Sequence, residues 1–299
     1  MAAKKLKASE RSTLIGTLMT PLKKRYGAKP PESSRPVLET LLFAALLENN
    51  TDEHAESALV SLLDAFHDLN EIRVSSIREI EVPIGDLPEA DWRSLRIKDA
   101  LQHVFELNYD YDLDGLKKKN QETATAELKE VPRITPFMRN YSLQVGIGNH
   151  VMPVDRHQLA LLRYLGLVEL TAGEDTAADE LKSAVRKADG PLLSFLLRQA
   201  ANEPAVLAET ESYAPIENDP DRGHETPGLP PSDALDVDEP IDAKSRIKEL
   251  GRLLDGKATG KTPKTAAKKT VKKAAAKKTV KKSTKKVVKK VAKKATVEK

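Results

Sequence analysis

The last 43 residues decide where a fold can sit in this chain. Residues 257–299 hold 18 lysines against one acid, Glu298, a net charge of +17. Charge at that density repels itself, and the segment has few large apolar side chains to bury, so it is expected to stay unfolded when free. It is also weakly repetitive: Ala-Ala-Lys-Lys-Thr-Val-Lys-Lys stands at 266–273 and again at 275–282, after which lysine pairs recur every four residues to Lys293-Lys294. A polyanion removes the repulsion. The spacing then stacks Lys268, Lys269, Lys272, Lys273, Lys277, Lys278, Lys281 and Lys282 along one side of a helix. Nucleic acid is the natural polyanion, bound through counterion release and therefore without regard to sequence. A membrane surface fits worse, because the pattern lacks the apolar face of an interfacial helix.

Against that tail the whole chain carries only +4, so the remainder is strongly acidic. Residues 203–242 hold 12 acids, one base (Arg222) and seven prolines, the composition of a disordered acidic linker. Residues 243–256 form a short amphipathic stretch, with Ile247, Leu250, Leu253 and Leu254 on one helical face that can dock on the body or on a partner. The expected organisation is a folded body over 1–202, a linker over 203–242, a short helix over 243–256 and a DNA-binding tail over 257–299.

Cysteine is absent, which excludes disulfides, thiolate zinc sites, iron–sulfur clusters and a cysteine nucleophile. The histidines show no metal-ligand spacing, no Ser-His-Asp or phosphate-loop pattern appears, and no cofactor is expected. Gly146-Ile147-Gly148 precedes no βαβ unit and is not a dinucleotide loop. The N-terminus lacks an apolar signal core, and no apolar run approaches the ~20 residues that span a bilayer. A soluble, cytoplasmic, nucleoid-associated protein is expected, or a nuclear one in a eukaryote, with DNA as partner and no membrane.

From about Ser9 to Ala201 the hydrophobic pattern has a helical period. Leu38, Leu41, Leu42, Ala45 and Leu46 make one stripe, and Ala55, Ala58, Leu59, Leu62 and Leu63 make a second beyond the polar break Glu48-Asn49-Asn50-Thr51. Trp92, Leu95, Ile97, Ala100, Leu101, Val104 and Phe105 supply a third, and further helices are expected near 123–128, 136–145, 155–165, 177–187 and 191–201. Sustained period-2 alternation is missing, so the body is all-α.

The stretch Val131 to Leu167 has a distinctive order of parts. A short helix ends in a Pro-bearing turn, a second helix follows, then Gly148, an apolar extended run, and Val154-Asp155-Arg156-His157 opening another helix. This resembles the helix-hairpin-helix DNA glycosylases of the endonuclease III superfamily. Leu41 to Leu47 followed by Thr51-Asp52, the segment Trp92 to Leu107, and Asp189 to Phe195 are similar to further helices of that family, so that the resemblance covers about Arg35 to Asn202. The tail, for its part, resembles the Lys/Ala-rich tails of linker histones and of some bacterial nucleoid proteins.

The resemblance implies a helix-hairpin-helix bundle and N-glycosylase chemistry, with departures. The family turn Leu-Pro-Gly-Val-Gly reads Val131-Pro132-Arg133-Ile134-Thr135 here, so both glycines that admit a DNA phosphate to bare backbone are replaced, and Arg133 and Thr135 become the candidate phosphate contacts. The family's Schiff-base lysine falls on Phe137 and its iron–sulfur cysteines are absent, which leaves no lyase route through that lysine. Asp155 falls on the catalytic aspartate, whose carboxylate would stabilise the oxocarbenium-like sugar or activate water. Taken by itself, Asp155-Arg156-His157-Gln158 is a capping box. His157 reads as a helix-surface residue, with the DNA backbone as its alternative contact, and Glu48-Asn49-Asn50 as a helix connection standing where relatives place pocket or strand-separating residues. Tyr141, Tyr109 and Tyr111 are available to hold a flipped base but fit ordinary packing. Two functions follow: a monofunctional glycosylase using Asp155, or a non-catalytic nucleoid or chromatin protein on a decayed glycosylase fold.

Overall fold

The computed structural model describes residues 6–31, 34–214 and 242–256. Thirteen α-helices, and no strand, are found among the described residues. In chain order they are α1 (Ala8–Tyr26), α2 (Val37–Leu47), α3 (Asp52–Ala65), α4 (Leu69–Val74), α5 (Ile77–Ile84), α6 (Ala90–Asn108), α7 (Gln121–Lys129), α8 (Pro136–Tyr141), α9 (Arg156–Tyr164), α10 (Glu174–Ala184), α11 (Gly190–Ala201), α12 (Pro204–Thr210) and α13 (Ala243–Leu254).

Two hydrophobic cores organise them. The first gathers α2, α3, α5 and α6 with α7 and α8, and the second gathers α1, α9, α10, α11, α12 and α13. Helix α2 is apolar apart from Glu39 and Thr40, and every residue on it except Glu39 is buried, as expected of a helix enclosed by others rather than lying on a surface. Its buried leucines Leu41, Leu42, Leu46 and Leu47 stabilise the fold by about 1.5–3 kcal/mol each. Local signals start the neighbouring helices: Thr51 caps α3 through the His54 amide, and Ser76 with Glu79 closes a capping box on α5.

The second core is pinned by a buried ion pair. Arg11 of α1 donates to Glu180 Oε2 of α10 at 2.7 Å and to the Leu167 carbonyl at 2.8 Å. Helix α13 docks on this core rather than standing free, burying Ile247, Leu250 and Leu254 beside α1 and α12 with Leu253 at the edge. Arg246 anchors it, lying 4.5 Å from the Tyr164 ring and donating to the Tyr213 hydroxyl at 2.9 Å.

The expected linker boundary at 203 is corrected by the structure. Residues 204–210 form α12, Val206 and Thr210 are buried, and Tyr213 packs edge-on against Tyr164. The acidic composition misled because it averaged over the whole stretch: Pro204 stands in the first turn of a helix, where proline is tolerated, and Val206 supplies the buried face. Residues 215–241 and the Lys-rich tail lie outside the described residues.

Candidate functional site

Helix α7, the turn Glu130 to Thr135 and α8 form the expected helix-hairpin-helix. Arg133 occupies the left-handed region, with φ at 55°. The backbone thus keeps the conformation that a glycine would adopt freely, at a cost of about 1 kcal/mol for a residue with a Cβ. Its guanidinium pairs with Asp99 of α6. Thr135 caps α8 by accepting the Met138 amide at 3.1 Å. The turn therefore carries a left-handed arginine at 133 and a helix cap at Thr135. Phe137 is fully buried in the first core and stacks on Tyr141 at 5.7 Å.

Beyond α8 the chain widens into a π-helical turn over Ser142–Ile147, which ends at Gly148 with φ at 83°. The extended run that follows delivers Asp155 to the start of α9, where the capping box forms as expected. Asp155 Oδ1 accepts the Gln158 amide at 2.8 Å, and Gln158 Oε1 accepts the Asp155 amide at 3.0 Å. Asp155 is completely buried, and its Oδ2 accepts the Asn49 amide at 3.3 Å. The polar break after α2 therefore closes over the aspartate. Asn49 sits in the left-handed region at φ 54°, and its side-chain Oδ1 is buried with no hydrogen-bond partner among the described residues.

Buried arginines hold that break in place. Arg93 donates to the carbonyls of Ala45, Glu48 and Pro88 at 2.6, 2.7 and 2.7 Å, and Arg96 pairs with the Glu48 carboxylate at 2.9 Å. Burial pushes the Glu48 carboxyl above its ordinary range, although Arg96 and the Thr135 hydroxyl pull the other way. On the far side, Asn202 donates to the Asn50 carbonyl at 3.1 Å and its Oδ1 meets His157 Nδ1 at 2.9 Å. With both amide hydrogens of Asn202 committed, to Asn50 and to the Arg198 carbonyl, His157 must donate through Nδ1. His157 is thus a bracing residue as well as a surface one.

Next to this constellation lies an open cleft of about 590 Å³, walled by α2, α3, the π-helical turn and α11. Phe43 and Tyr141 line it as a tilted pair, their centroids 6.0 Å apart. The Arg35 guanidinium lies 4.3 Å over Phe43, and that of Arg198 lies 5.6 Å from the Tyr141 centroid. Arg198 is buried and grips Asp52 with two bonds, at 2.6 and 3.1 Å; desolvation would lower its pKa, but Asp52 raises it further. Asp155 is linked to the α11 wall through its capping partner Gln158, whose side-chain amide donates to the Ser194 carbonyl at 3.1 Å. Aromatic faces beside guanidinium planes, with Ser194 and Gln144 at the wall, suit a planar heterocycle.

Of the tyrosines considered from sequence, Tyr141 both packs and lines the cleft, whereas Tyr111 stacks on Phe105 elsewhere and Tyr109 meets that ring edge-on. Arg35, Phe43, Asp52 and Arg198 were missed. Arg198 had a readable signal, a lone cation within the apolar stripe Leu193, Leu196, Leu197, Ala200 and Ala201; Arg35 had none. The lysines from Lys268 to Lys282 lie outside the described residues. No group of acidic or histidine side chains fit to hold a metal occurs among the described residues, and no described helix is long and apolar enough to cross a membrane.

No family model and no curated protein matches the sequence. Solved structures do match. An endonuclease III caught as a covalent intermediate with DNA aligns over 65% of this chain and 85% of its own length, at 15% identity and a TM-score of 0.52. The chain has the helix-hairpin-helix glycosylase fold. An 8-oxoguanine glycosylase/lyase of Clostridium acetobutylicum (65% of this chain, 70% of its own, 14% identity) and a thermostable thymine-DNA glycosylase (64%, 85%, 13%) align at a TM-score of 0.49 each. The assignment of the helix-hairpin-helix glycosylase fold rests on the first.

Proposed function

We propose that this protein binds DNA, receives an extruded base in the cleft lined by Arg35, Phe43, Tyr141 and Arg198, and releases it as a monofunctional N-glycosylase through Asp155. The cleft carries this reading: Arg35, Phe43, Tyr141 and Arg198 line a space of about 590 Å³ whose α11 wall is bonded to Gln158, the capping partner of Asp155. A base taken out of the stack loses its neighbours, and stacking on side-chain planes restores part of that energy. Asp155 must then meet the sugar. Its bond to the Asn49 amide is the longer of the two it accepts, so that bond, within a break otherwise pinned by Arg93 and Asn202, is the one given up when a strand enters. The freed carboxylate would stabilise the positive charge that grows on the deoxyribose as the base departs, with water completing hydrolysis. Phe137 in place of the lysine makes the abasic product the end point.

Affinity comes from the tail. The part of the chain before residue 203 carries about −4 and attracts DNA poorly, whereas the 18 lysines of 257–299 supply a steep, sequence-blind attraction.

The test of the cleft compares duplexes that contain one unpaired base with fully paired ones, so that the tail contribution cancels. Arg35→Ala and Tyr141→Leu should each remove about 1–3 kcal/mol of the preference for the unpaired base while leaving paired binding unchanged. An undiminished preference in both variants refutes the cleft as the base site. A second reading, a chromosome-binding protein that excises nothing, is favoured by one observation, the complete burial of Asp155 with both its oxygens engaged. It predicts no base release from any duplex.

A further inference from the structure

We infer that Asp99 acts as a built-in phosphate mimic that occupies Arg133 at the hairpin tip and must be displaced when DNA binds, an inference that rests on the reading of the hairpin as a DNA contact. Arg133 is an unusual residue to find in the left-handed region, where it stands at φ 55°, and its side chain is committed to one carboxylate. That carboxylate belongs to α6, a different element, and presents to the guanidinium what a phosphate would present: two oxygens sharing a negative charge. The two ion pairs near the hairpin differ in how firmly they are held. Arg96 and Glu48 have side chains only 12% and 8% exposed, so that pair is structural. The side chains of Arg133 and Asp99 are 39% and 21% exposed, placing them in the class of pairs that water and salt weaken readily.

Exchange of Asp99 for a phosphate keeps Arg133 paired throughout and breaks no buried bond. The consequence is a threshold. DNA gains from Arg133 only the excess of phosphate over carboxylate, so a weak or distorted contact fails to open the pair while a well-placed phosphate succeeds. In a chain whose tail attracts any DNA, a hairpin that resists indiscriminate contact would confine the body to backbone geometries that fit it.

The experiment uses the full chain with an intact tail and measures duplex binding between 50 and 300 mM salt. Asp99→Asn should tighten binding about two- to fivefold at the low end and steepen the slope of log K against log salt by up to about 0.9. Asp64→Asn, which removes a carboxylate exposed on α3, controls for net charge and should change affinity less. Arg133→Asn retains a residue that tolerates the left-handed region; it should weaken binding more in the Asp99→Asn background than in the wild type. Equal tightening by Asp99→Asn and Asp64→Asn overturns the mimic. Equal losses from Arg133→Asn in both backgrounds also overturn it, while showing that the hairpin does meet DNA. No loss in either background instead refutes the hairpin contact on which the inference rests.

Discussion

Removing the Asp155 carboxylate should destabilise the fold by an amount that can be worked from its partners. In Asp155→Ala the first turn of α9 loses its cap, worth about 1 kcal/mol. The Asn49 amide is also left facing a void, and an unsatisfied, partly buried donor costs about 1–3 kcal/mol. Together these give a loss of about 2–4 kcal/mol, some of it recovered if water enters. Asp155→Asn behaves differently. The amide oxygen still caps Gln158, but its NH2 then faces the Asn49 amide donor to donor, so one bond is lost and the expected cost is about 1–2 kcal/mol. For a folded portion of this size each kcal/mol lowers Tm by about 2–4 °C. Urea unfolding of the full chain, followed by helical circular dichroism, reads the difference. A loss under about 0.5 kcal/mol for Asp155→Ala would refute the account of Asp155 as a buried clamp between α9 and the break after α2.

Other residues give independent checks. Because burial raises the Glu48 pKa in the folded state, the native protein holds a proton that the unfolded chain releases, so this group's contribution must fall as pH rises from the ordinary Glu value of 4.5. The unfolding free energy of wild type minus Glu48→Gln should therefore decline across that window, and a rise would reverse the assignment. Arg11→Ala strands Glu180 in the second core and should cost about 3–5 kcal/mol in chemical unfolding. Leu250→Ala should cost about 2–5 kcal/mol if α13 is an integral part of that core, and almost nothing if it is a loose appendage. Deletion of 257–299 should remove most of the salt dependence of DNA binding, seen as a flattened slope of log K against log salt.

The sequence showed the fold most clearly where the period of its apolar residues matched the burial. The stripes of α2, α3 and α6 could be read because each buries a continuous face, and the cap at Asp155 because Asp and Gln stand at the spacing a capping box requires. The site was legible only in part, since a cleft is assembled by residues far apart in sequence. Arg35 and Phe43 meet Arg198 across more than 150 residues, and nothing local marks that meeting. Arg133 shows a different limit. Substitution of a glycine pointed to a lost conformation, yet the surrounding turn imposes φ 55° on an arginine, because tertiary packing outweighs a preference of about 1 kcal/mol. The linker was placed too early for a related reason: composition describes a stretch on average, and α12 needs only Val206 and Thr210 to bury its face.

The central claim, that Asp155 releases a base held in the cleft, is tested most directly by single-turnover base release. Duplexes with alkylated, oxidised, deaminated and mismatched bases are incubated with wild type and Asp155→Asn, and abasic sites are revealed by alkali. The account predicts release from at least one substrate by wild type, no strand cleavage without alkali, and loss of release in Asp155→Asn with DNA affinity retained. Equal release by both proteins would contradict the role of Asp155. Release by neither would contradict the enzyme itself and leave a chromosome-binding protein on a glycosylase fold.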